Sequence, residues 1–166
     1  MSVIAVKKTK AQIEIASDSQ VTSGNIKELK AGAKTINVKG LFVATVGYAK
    51  INNLLRVFAE SNSPQGSREV DIMAYFIKFK NWIVDDLKQG ANLFEYNDFI
   101  IIYKKRIWFF SDFYIYEINE FKAIGSGKQF AMASLELGTS AKMAVRITCK
   151  HDLYCSGKVN VTTIKL

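Results

Sequence analysis

The residue best equipped for chemistry stands second in the chain. Ser2 carries a hydroxyl, and once Met1 is removed it also carries a free α-amine. An α-amino group titrates near about pH 8, so at neutral pH it can accept a proton, and a base beside a hydroxyl makes an activated nucleophile. Neither a charged leader nor a long apolar run is read ahead of the first strand, so removal of Met1 is expected to make Ser2 the N-terminus. The strand that follows ends on Asp18, which a hairpin would carry back toward the start of the chain.

A rival nucleophile is Cys155, with His151 four residues away as the only histidine. Those two would share a face only on a continuous helix, and a strand is read soon afterwards, so this pairing ranks low. Cys149 and Cys155 lack the paired spacing of a zinc site and are read as core thiols. No metal-ligand cluster and no cofactor motif is read.

Composition bounds the rest. A chain of 166 residues fits one domain over residues 1–166, large enough to bury a core. With 49% hydrophobic and 23% charged residues the balance is globular rather than disordered. Apolar runs such as Phe99-Ile100-Ile101-Ile102-Tyr103 are far too short to cross a membrane, and a soluble cytoplasmic protein is expected. A net charge of +8 and a pI near 9.4 raise nucleic acid as a partner. The cations are scattered, however, through Lys7, Lys8 and Lys10, then Lys27, Lys30, Lys34 and Lys39, then Lys104, Lys105 and Arg106. Several fall at hairpin turns and no helix is read as carrying a basic stripe, so a nucleic-acid role is not favoured.

These residues need elements to position them. Residues 2–8 and 12–17 read as a hairpin with Ile4, Val6, Ile13 and Ile15 at alternate positions. Ser17 to Gly32 is polar and glycine-containing, hence a loop or irregular excursion. A second hairpin runs from Lys34 to Val46 and closes on Gly47. Helical spacing follows at Ile51, Leu54, Leu55, Phe58 and Ala59, up to a break holding the only proline, Pro64. The next helix spans about Glu69 to Lys88, with Ile72, Phe76, Phe79, Ile83 and Leu87 on one stripe, Ser67 as its cap and Gly90 as its stop. After Gly90 the chain returns to strands over 98–103, 106–110, 114–118 and 121–124. The aromatics there, Trp108, Phe109, Phe110, Phe113, Tyr114 and Tyr116 among them, read as sheet packing rather than base-stacking platforms. Two helices follow, Gly127 to Leu137 and Ala141 to about Lys150 with Ser140 as cap, then a closing strand from Val159 to Leu166. Strands and helices segregated in this way predict an α+β protein with antiparallel sheets.

The run Ser2-Val3-Ile4-Ala5-Val6-Lys7, the segment Ile15-Ala16-Ser17-Asp18-Ser19-Gln20-Val21-Thr22, Lys34, Gly47 and Ala123-Ile124-Gly125-Ser126-Gly127 carry a family resemblance over nearly the whole chain. They resemble the proteasome β-subunit superfamily of N-terminal nucleophile hydrolases, and most closely its bacterial HslV-type branch, the peptidase of a two-component ATP-dependent protease. The most specific part is spacing: Ser2 to Asp18 and Asp18 to Lys34 are sixteen residues each, as the family's nucleophile, aspartate and lysine are spaced. The resemblance implies a four-layer αββα sandwich, a ring-shaped homo-oligomer, a peptide or unfolded-protein substrate, and a separate ATPase unfoldase as a partner. No Gly-x-x-x-x-Gly-Lys-Ser/Thr motif is present, so any such energy source is another protein.

In this light Ser2 is the expected nucleophile and its amine the base, acting through a bridging water as in the family. Serine replaces the family's usual threonine and lacks the methyl group that restricts χ1, so slower turnover is expected. Lys34, a cation near the hydroxyl, would favour its alkoxide character and keep the amine neutral, while Asp18 would hold Lys34 charged and aimed. Gly47, between a strand and a helix, suits a backbone N–H aimed at a developing oxyanion. Ser126 matches the family serine that hydrogen-bonds near the terminal amine, and Asp152, followed by Ser156-Gly157, resembles the family's late acidic residue that orients the amine and Ser126. An ordinary turn glycine, helix cap and loop cap would look the same at these last three positions.

Two other readings stand beside this one. If Met1 occupies the nucleophile position, with one residue inserted in the first hairpin turn, the chain is a catalytically inactive ring or scaffold protein. Ser2 is preferred because it keeps both spacings without a gap. The third reading is a basic accessory protein that binds nucleic acid or an acidic partner.

Overall fold

The computed structural model describes residues 2–23, 26–28, 34–90 and 92–166. The chain divides into two compact units, one built from the segment up to Lys34 and from Asn119 onward, the other from Thr35 to Ile118.

The first unit is built on a four-stranded antiparallel sheet. Its strands are β1 (Val3–Lys8), β2 (Gln12–Ser17), β10 (Phe121–Gly125) and β11 (Asn160–Lys165), in the order β10-β1-β2-β11. Ala123, Ala5 and Ala16 face one another across β10, β1 and β2. That row of small side chains lets two helices, α4 (Lys128–Glu136) and α5 (Ala141–His151), approach the sheet and bury Ala131, Leu135, Ala144 and Val145 against it. Ile4, Val6, Ile13 and Ile15, the alternate positions, are buried as well. Ser140 caps α5 as expected, accepting from the Met143 N–H at 3.2 Å. Lys7 reaches back over the end of α4, donating to the carbonyls of Gly138 and Thr139 at 2.7 Å each.

Within the stretch read as a loop from Ser17 to Gly32, β3 (Val21–Ser23) and β4 (Ile26–Glu28) form a two-stranded hairpin. Three-residue strands are too short for period-two alternation to show. Residues 24–25 and 29–33, Lys30 and Gly32 among them, lie outside the described residues, as does Met1 with the alternative register built on it.

The second unit is an antiparallel meander, β5 (Thr35–Val38), β6 (Leu41–Val46), β7 (Asp98–Tyr103), β8 (Arg106–Ser111) and β9 (Tyr114–Glu117), ordered as in sequence. The link from β6 to β7 carries α1 (Lys50–Ser61), α2 (Glu69–Asn81) and a single turn, α3 (Asn92–Glu95). Phe76, Phe79, Phe94, Phe99 and Phe110 are fully buried together, with Phe76 stacked on Phe110 at 4.7 Å. A Phe76→Ala change would cost about 3–5 kcal/mol.

Three boundary expectations are corrected here. Arg68, not Ser67, precedes α2: its N–H donates to Asp71 Oδ2 at 3.1 Å, the backward half of a capping box. The long second helix changes to a π-helical turn over Trp82–Asp86, where Leu87 N–H reaches the Trp82 carbonyl. The wider turn offsets the apolar stripe, so Ile83 is buried and Leu87 only half so. Lys88, at φ 53°, follows before Gly90 is reached, and α3 intervenes before the strands resume. No helix among the described residues is long and apolar enough to cross a membrane.

Candidate active site

Strand register alone brings Ser2, Asp18 and Ser126 together. In the β1–β2 ladder Ile4 faces Ser17, so one step further Val3 faces Asp18. The Asp18 N–H donates to the Val3 carbonyl at 3.3 Å, and the Val3 N–H returns a bond to Asp18 Oδ1 at 2.9 Å. In the β1–β10 ladder Val3 faces Gly125, so Ser2 faces Ser126. The Ser2 nitrogen donates to Ser126 Oγ at 3.1 Å, and Ser126 Oγ donates back to the Ser2 carbonyl at 3.3 Å.

Asp18 is the hub. Its Oδ1 also receives Lys34 Nζ at 2.5 Å, and its Oδ2 accepts from the Gln20 N–H at 3.2 Å. Three donors complement a charged carboxylate that has no exposure to water, and Lys34 is itself only 7% exposed. Burial lowers the Lys34 pKa from its ordinary value; the Asp18 charge and hydrogen bond oppose that shift without cancelling it. The cluster is therefore a dry ion pair, its carboxylate met by three donors, one residue from Ser2, which is 8% exposed.

A loop after α5 closes over this cluster. Ser156 Oγ donates to Gln20 Oε1 at 2.7 Å, and the Ser156 carbonyl accepts from Ser19 N–H. The same loop seats Cys155, fully buried, with Sγ 3.8 Å from Ser126 Oγ. Burial pushes the Cys155 thiol up to about 12, with the Asp18 charge adding to the shift, so the sulfur beside Ser126 stays a neutral S–H.

With that geometry in hand, comparison with solved structures is informative. The chain superposes on BPH of Thiobacillus denitrificans, solved in complex with epoxomicin, with a TM-score of 0.89 and 18% identity, over 99% of this chain and 98% of that one. HslV of Trypanosoma brucei gives 0.70 at 16% identity over 99% of both chains. Anbu of Yersinia bercovieri gives 0.76 at 11% identity, over 97% of this chain and 80% of that one. The chain has the proteasome β-subunit fold. No protein-family model and no curated protein sequence matches it. The α+β class with antiparallel sheets, expected from the order of elements, and the N-terminal nucleophile hydrolase fold that the resemblance implied are thus borne out.

On this proteasome-type fold the remaining candidates are placed as follows. Asp152 ends α5, and its Oδ1 accepts from the Tyr154 N–H at 2.7 Å, which ties down the loop that carries Cys155 and Ser156. Gly47 belongs to the second unit and follows β6 with φ 122°; a Cβ there would come within 2.3 Å of both Asn97 Oδ1 and the Tyr96 carbonyl. Asn97, 1% exposed, braces that turn by accepting from the Tyr48 N–H at 2.8 Å and donating to the Leu93 carbonyl at 2.6 Å. His151 is exposed and stacked on Phe130, on the helix that ends before Cys155, so its ring serves a surface contact instead of a nucleophile.

Sequence reasoning did not single out Asn97, Gln20 or the contact of Cys155 with Ser126. Asn97 carries only the weak signal of a polar residue just ahead of an apolar strand. Cys155 had a stronger one, since it follows Asp152 by three residues, close enough for one loop to seat both. Cys149, expected in the core, is only half-buried.

Proposed function

We propose that this protein is an N-terminal serine peptidase or amidase subunit of a proteasome-like, HslV-type self-compartmentalised assembly. Removal of Met1 frees the Ser2 amine. That amine, oriented by Ser126, takes the hydroxyl proton through a bridging water, and Oγ attacks the scissile carbonyl. The bond that forms is Oγ–C; the C–N bond breaks, the proton leaves with the amine product, and water then hydrolyses the acyl-enzyme ester. Lys34 biases Ser2 toward alkoxide character, Asp18 fixes Lys34 and the Val3 backbone, and Asp152 supports the loop behind Ser126. The ring of identical copies and an ATPase partner belong to the same proposal.

The observation that carries this reading is the buried Asp18–Lys34 pair, bonded at once to the backbone of Val3 and set beside a serine whose nitrogen meets Ser126. A buried ion pair is a poor way to gain stability, since apolar replacements do as well or better, and it is better explained by chemistry at the adjacent hydroxyl. Intact mass of the protein from its native host, followed by peptide cleavage by the wild type and Ser2→Ala, tests it. Loss of Met1 with cleavage abolished in Ser2→Ala is the expected result. Cleavage that survives Ser2→Ala refutes the nucleophile, and full retention of Met1 removes the base and leaves the catalytically silent scaffold.

A further inference from the structure

Helix α5 carries a basic line that the sequence reading missed. Lys142, Arg146 and Lys150 recur every four residues along about 12 Å of one helix face, all exposed. Lys158, on the segment that leads into β11, faces the same groove of about 630 Å³, and no aspartate or glutamate lines it. None of the four cations has an ion-pair or hydrogen-bond partner among the described residues. Like charges at this spacing repel, and Lys142 lies in the first turn of α5, where the helix dipole disfavours a cation. The arrangement is therefore unfavourable to the isolated helix.

The material between the cations narrows what could relieve it. Ile147, Cys149 and Val159 line the groove half-buried, and Cys149 and Val159 are continuous with the core beneath α5. The lining holds no aromatic ring on which a nucleobase could stack, as single-stranded nucleic-acid sites use. A second copy of the chain, with a net charge of +8, offers such a face less complementary charge than an acidic segment does. We infer that the α5 groove binds an acidic, partly apolar peptide segment of another protein, with carboxylates on Lys142, Arg146, Lys150 and Lys158 and an aliphatic side chain over Ile147 and Val159. The groove lies wholly within the first unit, and the inference does not depend on the activity proposed for Ser2.

Fluorescence anisotropy with a fluorescein-labelled peptide of alternating glutamate and leucine tests this on the full chain. Saturable binding that weakens with added salt is expected. The double variant Arg146→Glu/Lys150→Glu should weaken it at least about tenfold, whereas Lys104→Glu/Lys105→Glu, an equal change of net charge in the β7–β8 turn, should leave it within about twofold. The milder pair Lys142→Gln/Lys158→Gln should also weaken it, guarding against misfolding of the charge-reversed protein. Equal weakening by both charge-reversed proteins would reduce the effect to overall charge and overturn the proposal. So would an all-glutamate peptide that binds as tightly as the alternating one, or an oligo-dT of matched charge that binds more tightly. A change of sedimentation in Arg146→Glu/Lys150→Glu, with peptide binding intact, would assign the face to contacts between copies and overturn it too.

Discussion

Asp18 and Lys34 form a buried ion pair at 2.5 Å in which the acid is the better-connected partner. Asp18 keeps two backbone N–H donors if Lys34 is lost, but its charge is then left unpaired in a dry site; Lys34, with its pKa already lowered by burial, can shed its proton if Asp18 is lost. The two halves of the pair therefore differ in what their removal costs. Lys34→Met should destabilise by about 3–5 kcal/mol and Asp18→Asn by less, measured by urea unfolding at neutral pH. The reverse order would contradict the assignment. Between the lowered native value of Lys34 and its ordinary 10.5, the unfolded chain binds more protons than the native one, so Lys34 makes stability rise with pH there. In Lys34→Met that rise disappears.

Gly47 is held at φ 122° with Asn97 and Tyr96 against the place a side chain would take. Gly47→Ala therefore meets both backbone strain and a 2.3 Å clash, and should cost at least about 2 kcal/mol in thermal or urea unfolding. Gly40 provides the control: its φ is 79° but nothing lies within 4 Å of the place an added methyl would take, so Gly40→Ala should cost about 1 kcal/mol. Equal costs would mean that Asn97 and Tyr96 yield easily.

What could be read from the chain beforehand follows from the range of the interactions. The β1–β2 hairpin was legible because Ile4, Val6, Ile13 and Ile15 alternate, and its register then fixes Asp18 beside Val3 with no long-range information. Ser126 needed more: β10 pairs with β1 across more than a hundred residues, and only the resemblance pointed to it. Asn97 was invisible because its work is to satisfy backbone groups at Tyr48 and Leu93, a demand that exists only once the turn is folded. The basic line on α5 escaped notice for a simpler reason. Lys142, Arg146 and Lys150 are separated in sequence by uncharged residues, and only the helical period brings them onto one face.

The two thiols should differ from ordinary cysteines in the same direction. Burial pushes Cys149 up to about 11 and Cys155 up to about 12, and a protonated thiol is a poor nucleophile. At pH 8 the native protein should react with a disulfide reagent at least about a hundredfold more slowly than the urea-unfolded chain, which releases both thiols. In the native state each thiol stays protonated past the pH at which the unfolded one ionises. Their contribution to stability is thus complete below about 9 and is lost as pH climbs toward the native values. Cys155→Ala should flatten that alkaline decline. Rapid modification of Cys155 in the folded protein would show that the loop from Asp152 to Ser156 opens readily.

Ser126 separates a positioning role from a merely structural one. Its Oγ accepts from the Ser2 nitrogen and donates to the Ser2 carbonyl, so Ser126→Ala removes both constraints on the residue proposed to supply nucleophile and base. With Met1 shown by mass to be absent, kcat for a peptide substrate should fall by about 10–100-fold while KM stays near the wild-type value, because the lost contact orients the amine and touches no substrate. The acidic limb of the pH–rate profile should move as well, since the amine loses a hydrogen-bond partner that its proton used. Cys155→Ser, which keeps a small donor 3.8 Å from Ser126 Oγ, should retain most of the rate. A Ser126→Ala protein with unchanged kcat and unchanged pH profile would reduce the serine to a helix-start residue and remove the amine's orienting partner from the mechanism.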